Sequence, residues 1–215
     1  MELKHHLALT IIVFCFCNGQ DDVGSGQADN SVRAIYVKKL LNGSRPLIVL
    51  LGNEGQINHP ICWWSQKSAT LEKGFEHNLT YFRKDNQGRR KHGSWQVRNT
   101  TYLVSRKAGS PTIGVKAYYG NGTLDIDVSK VYLILFASPS CFVMSTPQND
   151  SVPLIVVNNG MRKLPDNSRC LLWAPYDTEG TTRRTCEEQF FAQCNNVGVY
   201  AYRYRKTVCN EIDNE

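Results

Sequence analysis

The residues with the most chemistry in this chain are its cysteines. Cys15 and Cys17 lie in a short apolar run, Leu7 to Cys17, behind the basic start Lys4, His5 and His6 and ahead of Asn18 and Gly19. That order describes a secretory signal peptide over residues 1–19, with an apolar run too short to span a bilayer. Cleavage near Gln20 leaves Cys62, Cys141, Cys170, Cys186, Cys194 and Cys209. An even set in a secreted chain implies up to three disulfides, and six cysteines allow about 15 pairings. Zinc would need pairs of these cysteines two residues apart or matched histidines, and only His59, His77 and His92 remain. No metal and no cofactor is expected.

Nothing in the sequence assembles a catalytic set. Gly-x-Ser-x-Gly, His-Glu-x-x-His and a glycine-rich phosphate loop are all absent. The three histidines fall in expected turns or strand surfaces and read as exposed. Glu187 and Glu188 are adjacent, so on a helix they point about 100° apart and cannot work as a carboxylate pair. The chain therefore reads as a binding protein rather than an enzyme. The basic run Arg89, Arg90, Lys91, His92 has the chemistry to meet a sulfated polysaccharide, but a solvated hairpin tip is the simpler reading. Aromatics interleaved with Arg203 and Arg205 resemble a nucleic-acid platform; an alternating strand explains them with less, and no nucleic acid is expected outside the cell.

Asn42, Asn78, Asn99, Asn121 and Asn149 each have Ser or Thr two places on, so they are candidate N-glycosylation sites, and an occupied one must face solvent. The formal net charge of +6 survives processing, because Glu2 and Lys4 cancel. At that size it speaks for solubility.

Behind these residues stand mostly strands. Residues 20–30 are acidic and glycine-containing, a flexible lead; Ser31 to Leu41 fits a short helix capped by Ser31. LIVLLG after Pro46 is apolar throughout, as a strand buried on both faces is. A meander follows: Ile61 to Leu71, Phe75 to Lys84, a polar tip, Ser94 to Arg106, Thr112 to Tyr119, Leu124 to Val128, Val131 to Ala137 and Cys141 to Ser145. Val152 to Val157 and Arg169 to Trp173 close the strand set. Thr182 to Cys194 is a helix, because Cys186, Phe190 and Cys194 recur every four residues on one face. Val197 to Val208 is expected to be extended. Eight or more strands on short turns indicate an all-β antiparallel barrel, and residues 31–215 form one domain. Its lining is expected to include the aromatics Trp63, Tyr81, Trp95, Tyr102, Tyr118, Tyr132, Phe136, Phe142 and Trp173. A barrel of about eight strands is either filled by such side chains or left open for one small ligand.

ASPSCFVM, LLWAP, the helix TCEEQFFAQC and the ending YRYRKTVC resemble the tick salivary lipocalins, a family that includes histamine-binding proteins and relatives that sequester lipid mediators or act on host immune cells. The likeness covers the mature chain loosely from Ser31 and is most specific from Cys141 to Cys209. It implies an eight-stranded lipocalin barrel with a short N-terminal helix and a C-terminal helix packed on its wall. It also implies the pairing Cys62–Cys209, Cys141–Cys186 and, by elimination, Cys170–Cys194.

Amine-binding members carry an acid directly after the strand cysteine and another two residues before the late tryptophan; here Phe142 and Leu171 stand at those places, and the resemblance thereby adds Leu171 to the expected lining. A protonated amine taken out of water needs a carboxylate, so the substitution disfavours histamine in that mode. What the resemblance implies is a secreted, extracellular, monomeric non-amine-binding member that sequesters a small hydrophobic host mediator such as an eicosanoid, fatty acid or sterol. The alternatives are a scaffold that binds a host immune protein or cell surface, and a histamine binder despite the missing acids. The segment TPQNDSVPLIVVNNGMRKLPDNSR is longer than usual and would reshape the barrel mouth or add a strand.

Overall fold

The computed structural model describes residues 25–107, 109–147, 154–157, 160–163 and 168–213. In chain order these form α1 (Ser25–Asn42), β1 (Leu47–Glu54), β2 (Ile61–Leu71), β3 (Gly74–Arg83), β4 (Ser94–Lys107), β5 (Ser110–Tyr118), β6 (Lys130–Ala137), β7 (Phe142–Ser145), β8 (Leu154–Val157), β9 (Gly160–Lys163), β10 (Arg169–Pro175), α2 (Gly180–Cys194), β11 (Tyr200–Arg203) and α3 (Lys206–Asp213). The expected signal peptide and Asn149 lie outside the described residues.

Short turns make neighbours in sequence neighbours in space. β1 to β7 follow one another round an antiparallel barrel, and β10 closes it by pairing with both β7 and β1, giving eight strands. β8 and β9, from the long segment, make a separate hairpin.

Two apolar clusters share the barrel wall. The inner one holds Leu47, Val49, Phe142, Met144, Leu171 and Trp173, with Val37, Leu40 and Leu41 of α1 joining it. The outer one holds Ile48, Leu50, Val143, Leu172 and Ala174, covered by Cys186, Phe190 and Cys194 of α2. β1, β7 and β10 thus bury both faces, which is why their sequences run apolar without alternation. Disulfides Cys141–Cys186 and Cys170–Cys194 tie α2 to that wall, and Cys62–Cys209 ties α3 to β2.

The barrel has one sparse join. β1 pairs with β2 only at Leu47↔Ser65 and Ile48↔Trp64; beyond this β11 takes the edge of β1, from Leu51↔Arg203 to Glu54↔Tyr200. Gly198 leads into β11 with φ +63°, and a Cβ there would stand 2.4 Å from the backbone carbon of Glu54, so the close approach requires glycine. Across the gap the Cys62 amide donates to Tyr202 Oη at 2.9 Å, and Cys62 itself is held at φ +53°, a costly conformation for a non-glycine residue.

Three expected elements need correction. The N-terminal helix starts at Ser25, so residues 25–30 belong to it rather than to a flexible lead. Leu124 to Val128 is no strand: only Leu124 bridges, to Tyr118, and the chain then turns so that the Ser129 amide reaches Asp125 O. Lys206 to Val208 opens a helix, with the Cys209 amide donating to Arg205 O, because Cys209 and Ile212 at i, i+3 turn inward.

Candidate functional site: the barrel interior

Seven of the ten expected lining residues face inward together. Trp63, Tyr81, Tyr102, Tyr132, Phe142, Leu171 and Trp173 are buried in the inner cluster. Their rings touch: Trp63 lies 5.0 Å from Tyr81 and 6.1 Å from Trp173 between centroids, and Phe142 stacks on Trp173 at 6.4 Å.

The other three lie elsewhere. Phe136 packs in the outer cluster, because a register shift between Ile134 and Phe136 reverses the alternation and turns Ala137 inward instead. Tyr118 is half-buried and shares its strand face with exposed Lys116. Trp95 packs half-buried against the inner cluster, its ring 5.5 Å from Phe82, but from the face of β4 that carries Val97, itself 60% exposed, where it lines an outer groove with Trp64 and Tyr176.

α1 closes one end of the barrel. Inside it, Ser65 Oγ lies 3.1 Å from Tyr102 Oη and 3.0 Å from His77 Nδ1, while His77 Nε2 is 2.9 Å from Leu41 O. A carbonyl only accepts, so the proton sits on Nε2 and Nδ1 accepts from Ser65. Burial pushes His77 down to about 4, and the neutral ring suits this chain of hydrogen bonds. The expectation of an exposed histidine fails here and at His59, both being buried. His77 sits on the inward parity of β3 with Leu79 and Tyr81, the one signal that could have placed it.

Ion pairs line the opposite end. Arg169 Nε donates to Glu54 Oε2 at 2.6 Å, its Nη1 reaches Asp127 O at 3.2 Å, and its guanidinium lies 5.3 Å from the Trp63 ring. Asp125 accepts from Tyr81 Oη and Arg98 Nε, both at 2.7 Å. Burial acts to raise Asp125, but these bonds outweigh it and hold the carboxyl below its usual range. For Glu54 burial wins and its pKa rises, Arg169 offsetting part of the cost; burial acts to lower Arg169, but Glu54 and Tyr132 together outweigh it and hold the guanidinium above its ordinary value. Glu54 Oε1 and Trp173 Nε1 are buried without a hydrogen-bond partner. None of Glu54, Asp125 or Arg169 was anticipated from sequence, since charges near strand ends ordinarily read as solvated.

The arrangement is an aromatic interior with paired charges at one end and two unmet polar atoms. It suits holding a small molecule, and among the described residues no group of histidine, cysteine and carboxylate side chains is placed to hold a metal. No described helix is long and apolar enough to cross a membrane.

Comparison with solved structures places this architecture. Japanin from Rhipicephalus appendiculatus, in a structure bound to cholesterol, superposes with a TM-score of 0.50 at 13% identity, over 78% of this chain and 97% of that one. The fold is that of a lipocalin. Apocrustacyanin C2 (TM-score 0.49, 11% identity) and apocrustacyanin C1 (0.46, 12%) are also similar, each over 83% of both chains. No family model matches the sequence, and neither does any curated protein. At these identities the likeness speaks for the lipocalin barrel alone. Within that barrel, Cys62, Cys141 and Cys170 are the anchor points at which the two C-terminal helices are bolted to the strands.

Proposed function

We propose that this lipocalin is a secreted, monomeric protein of the tick salivary type that sequesters a small hydrophobic host mediator, such as an eicosanoid, fatty acid or sterol. One observation carries the reading: Phe142 and Leu171, both buried beside Trp173, give the inner wall apolar groups, while Glu54 and Asp125 are already engaged by arginines. A cationic ligand would have to compete with Arg169 for Glu54, at the cost of leaving a buried guanidinium unpaired. A neutral ligand with one hydroxyl or carbonyl group meets no such cost and offers a partner to Glu54 Oε1 or Trp173 Nε1. Japanin, a protein of the same fold, is described bound to cholesterol, which supports a ligand of this class.

Because the rings lie in contact, ligand entry requires them to change rotamer. That packing also favours a second reading, in which the barrel is a scaffold and its outer surface engages a host immune protein or cell surface.

The experiment is to express the glycosylated chain, identify co-purified lipids by native mass spectrometry, and titrate cholesterol, eicosanoids, fatty acids and histamine while following tryptophan fluorescence. Uptake of one of these lipids with quenching is expected, and uptake of histamine is not. Tight histamine binding would overturn the reading of Phe142 and Leu171, and a barrel that takes up no lipid while the protein still engages immune cells would move the function to the surface.

A further inference from the structure

A second concave surface lies outside the barrel, where β11 fills the join beside β1. The groove has a volume of about 580 Å³, and Leu51, Ile61, Phe190, Phe191 and Val208 supply its apolar part. Phe191 is 55% exposed, a large ring left on the surface of α2 beside its buried neighbour Phe190. Around this floor stand Lys84, Arg90, Arg203 and Arg205, and no carboxylate lines the groove. Arg203 is engaged by Glu187 at 3.0 Å. Among the described residues Lys84, Arg90 and Arg205 have no carboxylate in salt-bridge contact.

Lys84 is the unusual member. Its ammonium is half-buried and lies 3.2 Å from His59 Nε2. His59 Nδ1 donates to Gln56 O at 2.9 Å, which leaves Nε2 as the acceptor for Lys84. The partner of this cation is thus a neutral ring: burial pushes His59 down to about 4, and Lys84 itself down to about 8. Glu54 attracts Lys84 only from beyond salt-bridge distance and is itself paired with Arg169. A half-buried ammonium hydrogen-bonded to a neutral ring therefore gains from an anion brought to it, and a solvated charge run offers no such gain.

We propose that this groove is a second binding site, for a free amphiphile with a single anionic head and an apolar tail, the head meeting Lys84 and Arg90 and the tail lying along Phe191 and Val208. The volume falls in the usual range of small-molecule sites, roughly 300–1,000 Å³. A long-chain carboxylate has both halves of the required chemistry; an inorganic anion lacks the tail, and a neutral lipid lacks the head. The site is independent of the barrel reading and stands if the barrel takes up nothing.

Monomeric oleate, kept below its micellar concentration, is the probe, titrated calorimetrically into the glycosylated protein with and without saturating cholesterol. Binding that cholesterol does not displace is expected, with methyl oleate, Lys84→Gln and Arg90→Gln each weaker by about tenfold. Lys84→Arg should restore affinity, and Phe191→Ser should weaken it by about fivefold without touching a charge. Arg90 and Phe191 are exposed, so those two variants carry the test should Lys84→Gln fold poorly. With cholesterol saturating, equal affinity for oleate and its ester, loss of all oleate binding, or insensitivity to Arg90→Gln and Phe191→Ser would each overturn the proposal. So would tighter binding, lost on Arg90→Gln, to a heparin disaccharide or to phosphatidylserine vesicles than to monomeric oleate.

Discussion

Arg169 Nε stands 2.6 Å from Glu54 Oε2 on two strands that pair residue for residue at that point. Both side chains are all but inaccessible, so each is the other's main compensation for lost water. Arg169→Met strands a buried carboxylate and is expected to cost about 3–5 kcal/mol, whereas Glu54→Leu with Arg169→Met should come close to the parent. Chemical denaturation of the two single variants and the double variant measures the difference. A single variant as stable as the double would show the pair is not coupled.

Two buried histidines make stability depend on mildly acid pH. His59 and His77 are both depressed to about 4 by burial. In the unfolded chain they bind protons near pH 6.5, so the unfolded state holds more protons between about pH 6.5 and 4. Their contribution is complete above pH 6.5 and is lost as the pH falls through that window. The melting temperature should drop between pH 7 and 4, and His77→Gln should remove part of the slope, seen by calorimetry across a pH series.

Asp125 acts with the same sign in the next lower pH range. Its depressed carboxyl contributes stability above the ordinary aspartate value, about 3.9, and loses it only as the pH falls below that. Asp125→Ala leaves Arg98 without its buried partner and frees the turn at residues 125–129. Hydrogen exchange at the Ser129 and Asp127 amides, which donate to Asp125, should speed up while the β3–β4 amides stay protected.

The three bridges should rank by the loop each closes. Separations of 147, 45 and 24 residues correspond to about 5, 4 and 3 kcal/mol on the chain-entropy model. Replacing Cys62 and Cys209 by serine should therefore lower the melting temperature most, and replacing Cys170 and Cys194 least.

Much of this was legible in the chain, for identifiable reasons. Alternation in the meander, unbroken apolar runs at β1, β7 and β10, and short turns placed the barrel strands to within a residue or two, and the four-residue spacing of Cys186, Phe190 and Cys194 placed α2. The pairing of the cysteines came from resemblance, since spacing alone left every connectivity open. Alternation misled at Phe136, where a register shift breaks it, and at Leu124 to Val128, where acids that looked solvent-facing include one drawn into the barrel by Tyr81 and Arg98. Glu54 and Arg169 meet only because β1 and β10 close the barrel, and a contact separated by 115 residues leaves no local trace. The groove leaves no local trace for the same reason: its cations come from the β3–β4 connection, from β11 and from the residues just after it, distant stretches that fold alone brings to one place.

The join between β1 and β2 also has a consequence for biosynthesis. Residues 200–209, which cover and bolt that gap, trail Cys62 by up to 147 positions. At about 5–20 residues per second, roughly 7–30 s separate synthesis of the two ends of this bridge. During that interval Cys62 is a thiol whose proper partner does not yet exist, while Cys141, Cys170, Cys186 and Cys194 arrive before it. Correct maturation therefore calls for an oxidising compartment that can reshuffle early mispairings, and yields of this protein should rise with the supply of disulfide isomerase more than with the supply of oxidant.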